Sequence, residues 1–160
     1  MIRAINSNDE LKLLVPIIQK ANLTVASEFN LTIQNAPTNP AFITEFYFFE
    51  GMEQKKHQYF GYFVDQKIVG CLAIRLISEK SYGIDRLAVL PEFRHQGFGE
   101  MLIQHVENHI KSLGGKKILI GIIFENKLLL NWYLKLRFIL TGTKKFDHLP
   151  FTVGFMEKNI

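Results

Sequence analysis

The sequence predicts an α/β fold: a mixed, mostly antiparallel central sheet flanked by helices on both faces. Three observations carry this. The stretch "YFGYFVDQKIVGCLAIRLIS", starting at Tyr59, is two apolar runs joined by a polar Asp-Gln-Lys, the pattern of an antiparallel hairpin. Beyond it, strand-like runs alternate with helix-like ones, an order that lays strands side by side through a covering helix. At 160 residues and 48% hydrophobic, with no internal repeat, low-complexity stretch or long linker, the chain fits one domain over 1–160.

Near the start, "SNDELKLLVPIIQKA" predicts a helix, with Ser7 as N-cap and Leu11, Leu14, Val15 and Ile18 on one face. Pro16 argues against it, because an interior proline removes a backbone hydrogen bond. "LTIQNAPTNPAF" carries two prolines and two asparagines in twelve residues and reads as loop. In "FITEFYFFEGM", Phe42, Phe46 and Phe49 fall at helical spacing, which predicts a short helix with that face on the core and Tyr47 and Phe48 pointing elsewhere. "YGIDRLAVL" reads as a strand ended by Pro91. A helix follows over 98–113, with Leu102, Val106, His109 and Leu113 near one face and Gly114-Gly115 as its stop. "KKILIGIIF" is a continuous apolar strand of the kind buried on both faces. Asn126 caps the helix of "NKLLLNWYLKLRF", and "ILTGTKKF" and "FTVGFMEK" are closing strands.

Composition excludes several classes. "MIRAINSNDE" has neither a basic start nor an apolar stretch, so no signal peptide is expected. The longest apolar run, "ILIGIIF" at 118–124, falls far short of the roughly 20 residues that cross a bilayer. A soluble, cytoplasmic protein without a membrane partner is expected. The single cysteine, Cys71, rules out an internal disulfide and, within "IVGCLAI", reads as buried filler rather than a nucleophile. The net charge of +4 arises entirely after residue 80, where eleven basic side chains meet seven acidic ones; before it there are eight of each. A modestly basic half suits a small anionic ligand. No block of five or six like charges appears, so nucleic acid is not expected as a partner.

Residues 94–100, "RHQGFGE", join the strand ending near Leu90 to the helix beginning near Gly97. A helix N-terminus presents free N–H groups and about half a positive charge, which attracts phosphate. Glycines at 97 and 99 remove side chains that would hold a phosphate off, and Arg94 adds a cation. The turn is therefore expected to receive a phosphate or pyrophosphate. Position 102 is leucine rather than the third glycine of a dinucleotide fingerprint, and "GFGEML" lacks the Gly-Lys-Ser/Thr of a P-loop. Another phosphate carrier is wanted.

"DRLAVLPEFRHQGFGEMLI" resembles the central motif of the GNAT acyltransferase superfamily: a strand, Val-x-Pro, then Arg/Gln-x-x-Gly-x-Gly/Ala opening a helix. "FENKLLLNWYLKLRF" is similar to its second motif, matched by Asn126, Tyr133, Lys135 and Phe138. Leu129 replaces a small residue there, and Arg137 replaces the glycine before Phe138, which bears on the turn into the last strands. The motifs cover roughly 87–99 and 125–138; coarse topology extends the resemblance over the whole chain, most weakly over the first 55 residues. The resemblance implies a GNAT-like acyl-CoA N-acyltransferase fold and acetyl-CoA as acetyl-donor cosubstrate. It implies that the backbone of Leu87, Ala88 and Val89 pairs with the pantetheine arm and offers amides to the acyl oxygen. It places the pyrophosphate on the main chain of Arg94, His95, Gln96, Gly97, Phe98, Gly99 and Glu100, and Asn126 beside the arm near the sulfur.

Acyl transfer to an amine needs a proton removed from the amine, a stabilised oxyanion and a leaving thiolate. Tyrosine, with an ordinary pKa near 10 against about 8.5 for a thiol, is protonated at neutral pH and can donate to sulfur. Tyr133 holds the family position for that acid. A glutamate that serves as base in several relatives corresponds to Gly83, so it is missing; Asp85, on the same strand face, is the candidate base or amine-binding group, with a structural ion pair as its other reading. His105 and His109 have zinc-compatible spacing, but Val106 stands where a metalloprotease needs glutamate and no third ligand is evident, so no metal is expected. His148 is a candidate for the acceptor mouth, and His57, in "EQKKHQ", reads as solvated.

The reading is an N-acetyltransferase acting by direct transfer in a ternary complex. A catalytically degenerate acyl-CoA-binding module of the same fold is the alternative; a nucleic-acid binder would need a basic stripe, for which only Lys116, Lys117, Lys144 and Lys145 qualify. The acceptor is left open among amino acid, polyamine, aminoglycoside, peptide N-terminus and lysine, as is oligomeric state, a homodimer included.

Overall fold

The computed structural model describes all 160 residues, Met1–Ile160. Seven strands form one sheet: β1 (Ile2–Ile5), β2 (Gln58–Val64), β3 (Lys67–Ser78), β4 (Ser81–Val89), β5 (Lys117–Ile123), β6 (Ile139–Lys145) and β7 (Thr152–Asn159), in the order β1-β2-β3-β4-β5-β7-β6. Every neighbouring pair is antiparallel except β4 and β5. The expected hairpin is β2–β3, turned at Asp65 and Gln66, both with positive φ, as a tight two-residue turn requires.

Helices α1 (Asn8–Glu28) and α2 (Glu45–Lys55) cover one face, and α3 (Phe98–Ser112) and α4 (Lys127–Lys135) the other. Strand alternation divides the core accordingly. Cys71 and Ala73 of β3 meet Leu14, Ile18 and Phe48, while Leu72 and Ile74 face the cluster of Leu102, Val106 and Ile110. Each of these large apolar side chains contributes roughly 1.5–3 kcal/mol by leaving water. Cys71 is fully buried, and burial pushes its thiol up to about 12, so it is inert filler. No helix is long and apolar enough to cross a membrane.

Four local expectations need correction. Pro16 does not end α1: it lies on the exposed face, as does Lys12, whose carbonyl loses its partner and is left to water. Phe42 is not in the helix with Phe46 and Phe49. Thr44 caps α2 by accepting the Tyr47 N–H, and extended Ile43 separates α2 from the 3₁₀ turn Pro40–Phe42, so the helical period restarts. Phe48, with Phe49 and Met52, then faces the core, and Phe46 is exposed. In α3 the buried face is Leu102, Ile103, Val106 and Ile110, while Leu113 is an exposed C-cap. β5 is buried on one face only, through Ile118, Ile120 and Ile122 against α3 and α4; Gly121, on the other face, is exposed.

The site is prepared by one irregularity in β4. Cys71 pairs with Ala88 and Ala73 with Asp85, so two steps on β3 oppose three on β4. The extra residue is a bulge centred on Arg86, which takes a left-handed φ of 57°. Pairing of β4 with β5 covers only Ser81–Gly83 against Lys117–Leu119. Past Gly83 the two parallel strands part, and the β5-facing edge of β4 up to Val89 has no strand beside it.

Candidate active site

The parting strands each lead into a helix, so α3 and α4 both begin at the open end of the β4–β5 pair. A 3₁₀ turn, Pro91–Phe93, leads from β4 to the glycine turn. Gly97 is the N-cap of α3 with φ 80°, a conformation glycine takes without strain, and no side chain caps the helix. The backbone N–H groups of His95, Gln96, Gly97, Phe98, Gly99 and Glu100 make no hydrogen bond within the chain. Six consecutive unpaired donors at a helix N-terminus are an arrangement that suits an anion.

The two glycines have different tasks. A Cβ on Gly97 would meet nothing nearer than the Met101 methyl at 3.5 Å, so its bareness serves the backbone bend and the approach of a ligand. A Cβ on Gly99 would stand 3.3 Å from the Trp132 ring, so Gly99 lets α3 pack against α4. Arg94 corrects the expectation of a cation at the turn. Its Nε donates to the Val89 carbonyl at 3.2 Å, and its terminal nitrogens donate to Thr24 Oγ1 and the Ala21 carbonyl at 3.0 and 2.5 Å. Its own N–H goes to Pro91. Arg94 therefore clamps the turn to α1, and the amide run begins at His95. Phe98 stacks on Tyr62 with centroids 4.4 Å apart, and Gln96 donates to the Glu92 carbonyl.

From the α4 side come Asn126 and Tyr133. Asn126 caps α4 by accepting the Leu129 N–H at 3.1 Å, and its Nδ2 makes no bond within the chain. Tyr133 is 5% exposed, edge-on to Trp132 and Phe138, and its hydroxyl has no partner in the chain. Burial pushes that hydroxyl well above the ordinary tyrosine range, so it stays protonated. Leu129 packs partly buried on the core, and Arg137 adopts the left-handed conformation, φ 67°, that a glycine would take there.

Asp85 stands on β4 just before the bulge and is not alone. His57 Nε2 lies 2.9 Å and Arg75 Nε 2.6 Å from the same oxygen, Oδ2. Burial alone would raise the carboxyl, but the hydrogen bonds from His57 and Arg75 outweigh it and hold it at about 2. The His57 side chain is 3% exposed, against the expectation of a solvated residue: His57 N–H closes the end of α2 on Met52, which turns the ring onto the sheet beside Tyr59. Sequence reasoning missed His57 and Arg75. The available signal was that His57 and Tyr59 alternate onto the face that receives Asp85. His105 and His109 sit edge-on to Phe60, His109 also 3.2 Å from Gln58, and His148 lies beside Phe146 in the β6–β7 turn.

The model of the acetyltransferase (GNAT) family matches residues 26–138, well over half of the chain. The chain belongs to the GNAT acetyltransferase family. Its fold is that of other GNAT proteins. The ribosomal-protein-S18-alanine N-acetyltransferase from Escherichia coli superposes with a TM-score of 0.78 at 15% identity, over 100% of this chain and 93% of that one. A GNAT acetyltransferase from Elizabethkingia anophelis with acetyl-CoA bound gives 0.71 at 15% identity, over 100% and 97%. An aminoglycoside 6'-N-acetyltransferase complexed with coenzyme A gives 0.70 at 15% identity, over 99% and 96%. Comparison with curated protein sequences returns no match.

Proposed function

We propose that this GNAT protein transfers an acetyl group from acetyl-CoA to a primary amine by direct attack within a ternary complex. The observation that carries the reading is the run of six unpaired amides from His95 to Glu100 beside the open edge of β4. A pyrophosphate fits the amides, and an extended amide-bearing arm fits an unpaired strand edge, where its own N–H and C=O groups find partners. Coenzyme A has both parts in that order. Structural neighbours hold coenzyme A or acetyl-CoA, which supports the same ligand here.

The chemistry follows from the side chains. The arm lies along Leu87, Ala88 and Val89, and the N–H groups of this stretch that face the open edge donate to the acetyl oxygen as its charge develops. Asn126 Nδ2 donates to the arm near the sulfur. The amine leaves its ammonium proton with solvent and attacks the carbonyl carbon as the neutral amine; the C–S bond breaks, the Tyr133 hydroxyl donates to the departing sulfur, and the proton shed by the new amide nitrogen returns through solvent to the tyrosinate. Burial raises the tyrosine above its ordinary value, but it raises a thiol in the same apolar surroundings too, so the two stay close enough for the proton to cross. The hydrogen bonds from His57 and Arg75 favour the ionised Asp85 carboxylate and make it a weak base, which suits binding the acceptor amine better than deprotonating it.

A thermal melt tests the reading, with acetyl-CoA as ligand and ATP, NAD and duplex DNA as controls. Acetyl-CoA at about 100 times its Kd adds roughly 2.7 kcal/mol, a rise of about 5–11 °C for a domain of this length. Thiol release is then followed with amino acids, a polyamine, an aminoglycoside and short peptides. A shift without release from any amine would replace the transferase by a degenerate acyl-CoA-binding module. No shift with acetyl-CoA would end the reading.

A further inference from the structure

We propose that the cleft between α3 and the end of α4 is a second binding site, separate from the open edge of β4, and that its ligand is a small acidic amino acid with two carboxylates and one ammonium. The cleft holds about 210 Å³ and is lined by Glu100, Gln104 and Glu107 of α3, by Lys135 and Arg137 at the end of α4, and by Lys158 of β7. That is below the roughly 300 Å³ at which sites for drug-sized ligands begin, so a molecule of amino-acid size fits.

The charges of the cleft are not all paired within the chain. Glu107 and Lys158 pair with each other, their side chains only 12% and 17% exposed, and Lys158 also lies 5.6 Å from the centre of the Phe138 ring, so neither is free for a ligand. Glu100 from α3, and Lys135 and Arg137 from the end of α4, make no ion pair. Opposite charges that line one cleft without meeting leave a gap, which a ligand carrying both signs closes. The count then selects the ligand. Two free cations call for two carboxylates, and one free carboxylate calls for one ammonium. An acidic amino acid leaves each of the three side chains with a partner.

Arg137 supplies an independent observation. It takes a left-handed φ of 67° at a helix end whose bonding favours glycine, and glycine is what the family motif has there. No ion pair of its guanidinium offsets this strain. A strained residue kept where its side chain lines a cleft points to a use for that side chain, and a guanidinium can hold a carboxylate by two parallel hydrogen bonds. The cleft also runs away from the phosphate turn: Glu107 lies seven residues beyond Glu100, about 10 Å further along α3. It touches both helices of the active site, because α3 starts at the amide run and Lys135 follows Tyr133 by two residues on α4. Its ligand would therefore act on the two helices rather than take part in the reaction.

The test titrates the full chain, free of acetyl-CoA, with L-glutamate by isothermal calorimetry. Glutarate, L-glutamine and L-lysine are the comparison probes, each removing or inverting one charge. Glutamate is expected to bind saturably with a Kd below about 1 mM. Glutarate, which lacks the ammonium, and glutamine, which lacks one carboxylate, should each bind about tenfold more weakly, the loss of one ionic hydrogen bond. Lysine should be weaker still. Arg137→Gly keeps a helix end that suits glycine and should weaken glutamate by about tenfold or more. Glu100→Gln should cancel the advantage of glutamate over glutarate. In amide NMR spectra the signals of Gln104 and Arg137 should shift with the same Kd. Absence of saturable glutamate binding in both readouts, lysine binding as tightly as glutamate, or an unchanged Kd in Arg137→Gly would overturn the proposal. The glutamate titration is then repeated at saturating acetyl-CoA. Retained binding supports a separate site, and displacement would overturn it by making the cleft part of the acetyl-CoA site. The first titrations contain no acetyl-CoA, so they decide the cleft even where the acetyl-CoA reading fails.

Discussion

Gly99 of α3 and Trp132 of α4 stand in direct contact: a Cβ on Gly99 would lie 3.3 Å from Cζ2 and 3.5 Å from Cη2 of the indole. The ring also makes an edge contact with Tyr133, 4.8 Å away centroid to centroid. A side chain at position 99 would have to displace it. Gly99→Val should destabilise the protein by about 1–3 kcal/mol through overpacking, which lowers Tm by roughly 2–12 °C. A melt of the free protein checks this, and an unchanged Tm would show that the α3–α4 contact yields.

Gly97 should behave in the opposite manner. Its outer side is open, so a side chain there harms a ligand more than the fold. Gly97→Glu places bulk and negative charge over the six free amides. Acetyl-CoA affinity should fall by at least tenfold, the equivalent of about 1.4 kcal/mol. The free protein should lose only the cost of a left-handed residue, about 1–2 kcal/mol. Isothermal titration separates the two effects, and full affinity in the variant would remove the phosphate from this turn.

The two glycines mark what was legible in the sequence. Motif spacing located the turn, and the α/β fold with its mixed sheet followed from the hairpin and the later alternation. The division of labour between Gly97 and Gly99 depends on which side of the turn meets Trp132, a residue 33 positions further on, and no local pattern carries that. The Phe42–Phe49 stretch failed for a related reason. A period of 3.6 assumes one continuous helix, and the Thr44 cap interrupts it. His57 was misread because its neighbours "EQKK" are solvated, while its own ring crosses β3 to a partner 28 residues away. Long-range pairing decides burial there, and charge-rich surroundings say nothing about it.

Asp85 ties acceptor binding to stability. Its folded carboxyl, at about 2, is a stronger acid than an ordinary aspartate near 3.9. A lowered folded value means that the contribution is complete above the ordinary range and drains away as pH falls toward 2. The amount is roughly 2 kcal/mol, or about 4–8 °C in Tm. Asp85→Asn should therefore melt lower than wild type at pH 6, and the gap should close between pH 4 and 2. A gap that stays constant through that window would mean that the carboxylate is not held by Arg75 and His57.

Tyr133→Phe isolates one hydroxyl. The hydroxyl has no partner in the chain, so its loss unpairs nothing, and the ring contacts with Trp132 and Phe138 remain. Stability and acetyl-CoA affinity should be unchanged. Turnover should fall by about 10²- to 10⁴-fold, the usual worth of a positioned proton donor. Steady-state thiol release at saturating acetyl-CoA measures it, and undiminished turnover would take the acid's role from Tyr133.

Arg137 tests whether a departure from the family motif carries a cost. It follows the C-cap of α4, with its N–H on the Leu134 carbonyl at 3.0 Å and the Phe138 N–H on Tyr133 at 3.1 Å, the bonding of a helix end that favours glycine. A left-handed arginine costs about 1–2 kcal/mol, and glycine in its place gives back about 0.5–1 kcal/mol through the freer unfolded chain. Arg137→Gly should then stabilise by about 0.5–1 kcal/mol, raising Tm by roughly 1–4 °C. The guanidinium has competing value, since Arg137 lines the cleft between α3 and α4 together with Glu100, Gln104 and Lys135. Those surroundings mix both charges and face water, where an ion pair is worth about 0–1 kcal/mol, less than the strain. A fall in Tm on substitution would reverse that order and show that the side chain holds the two helices together.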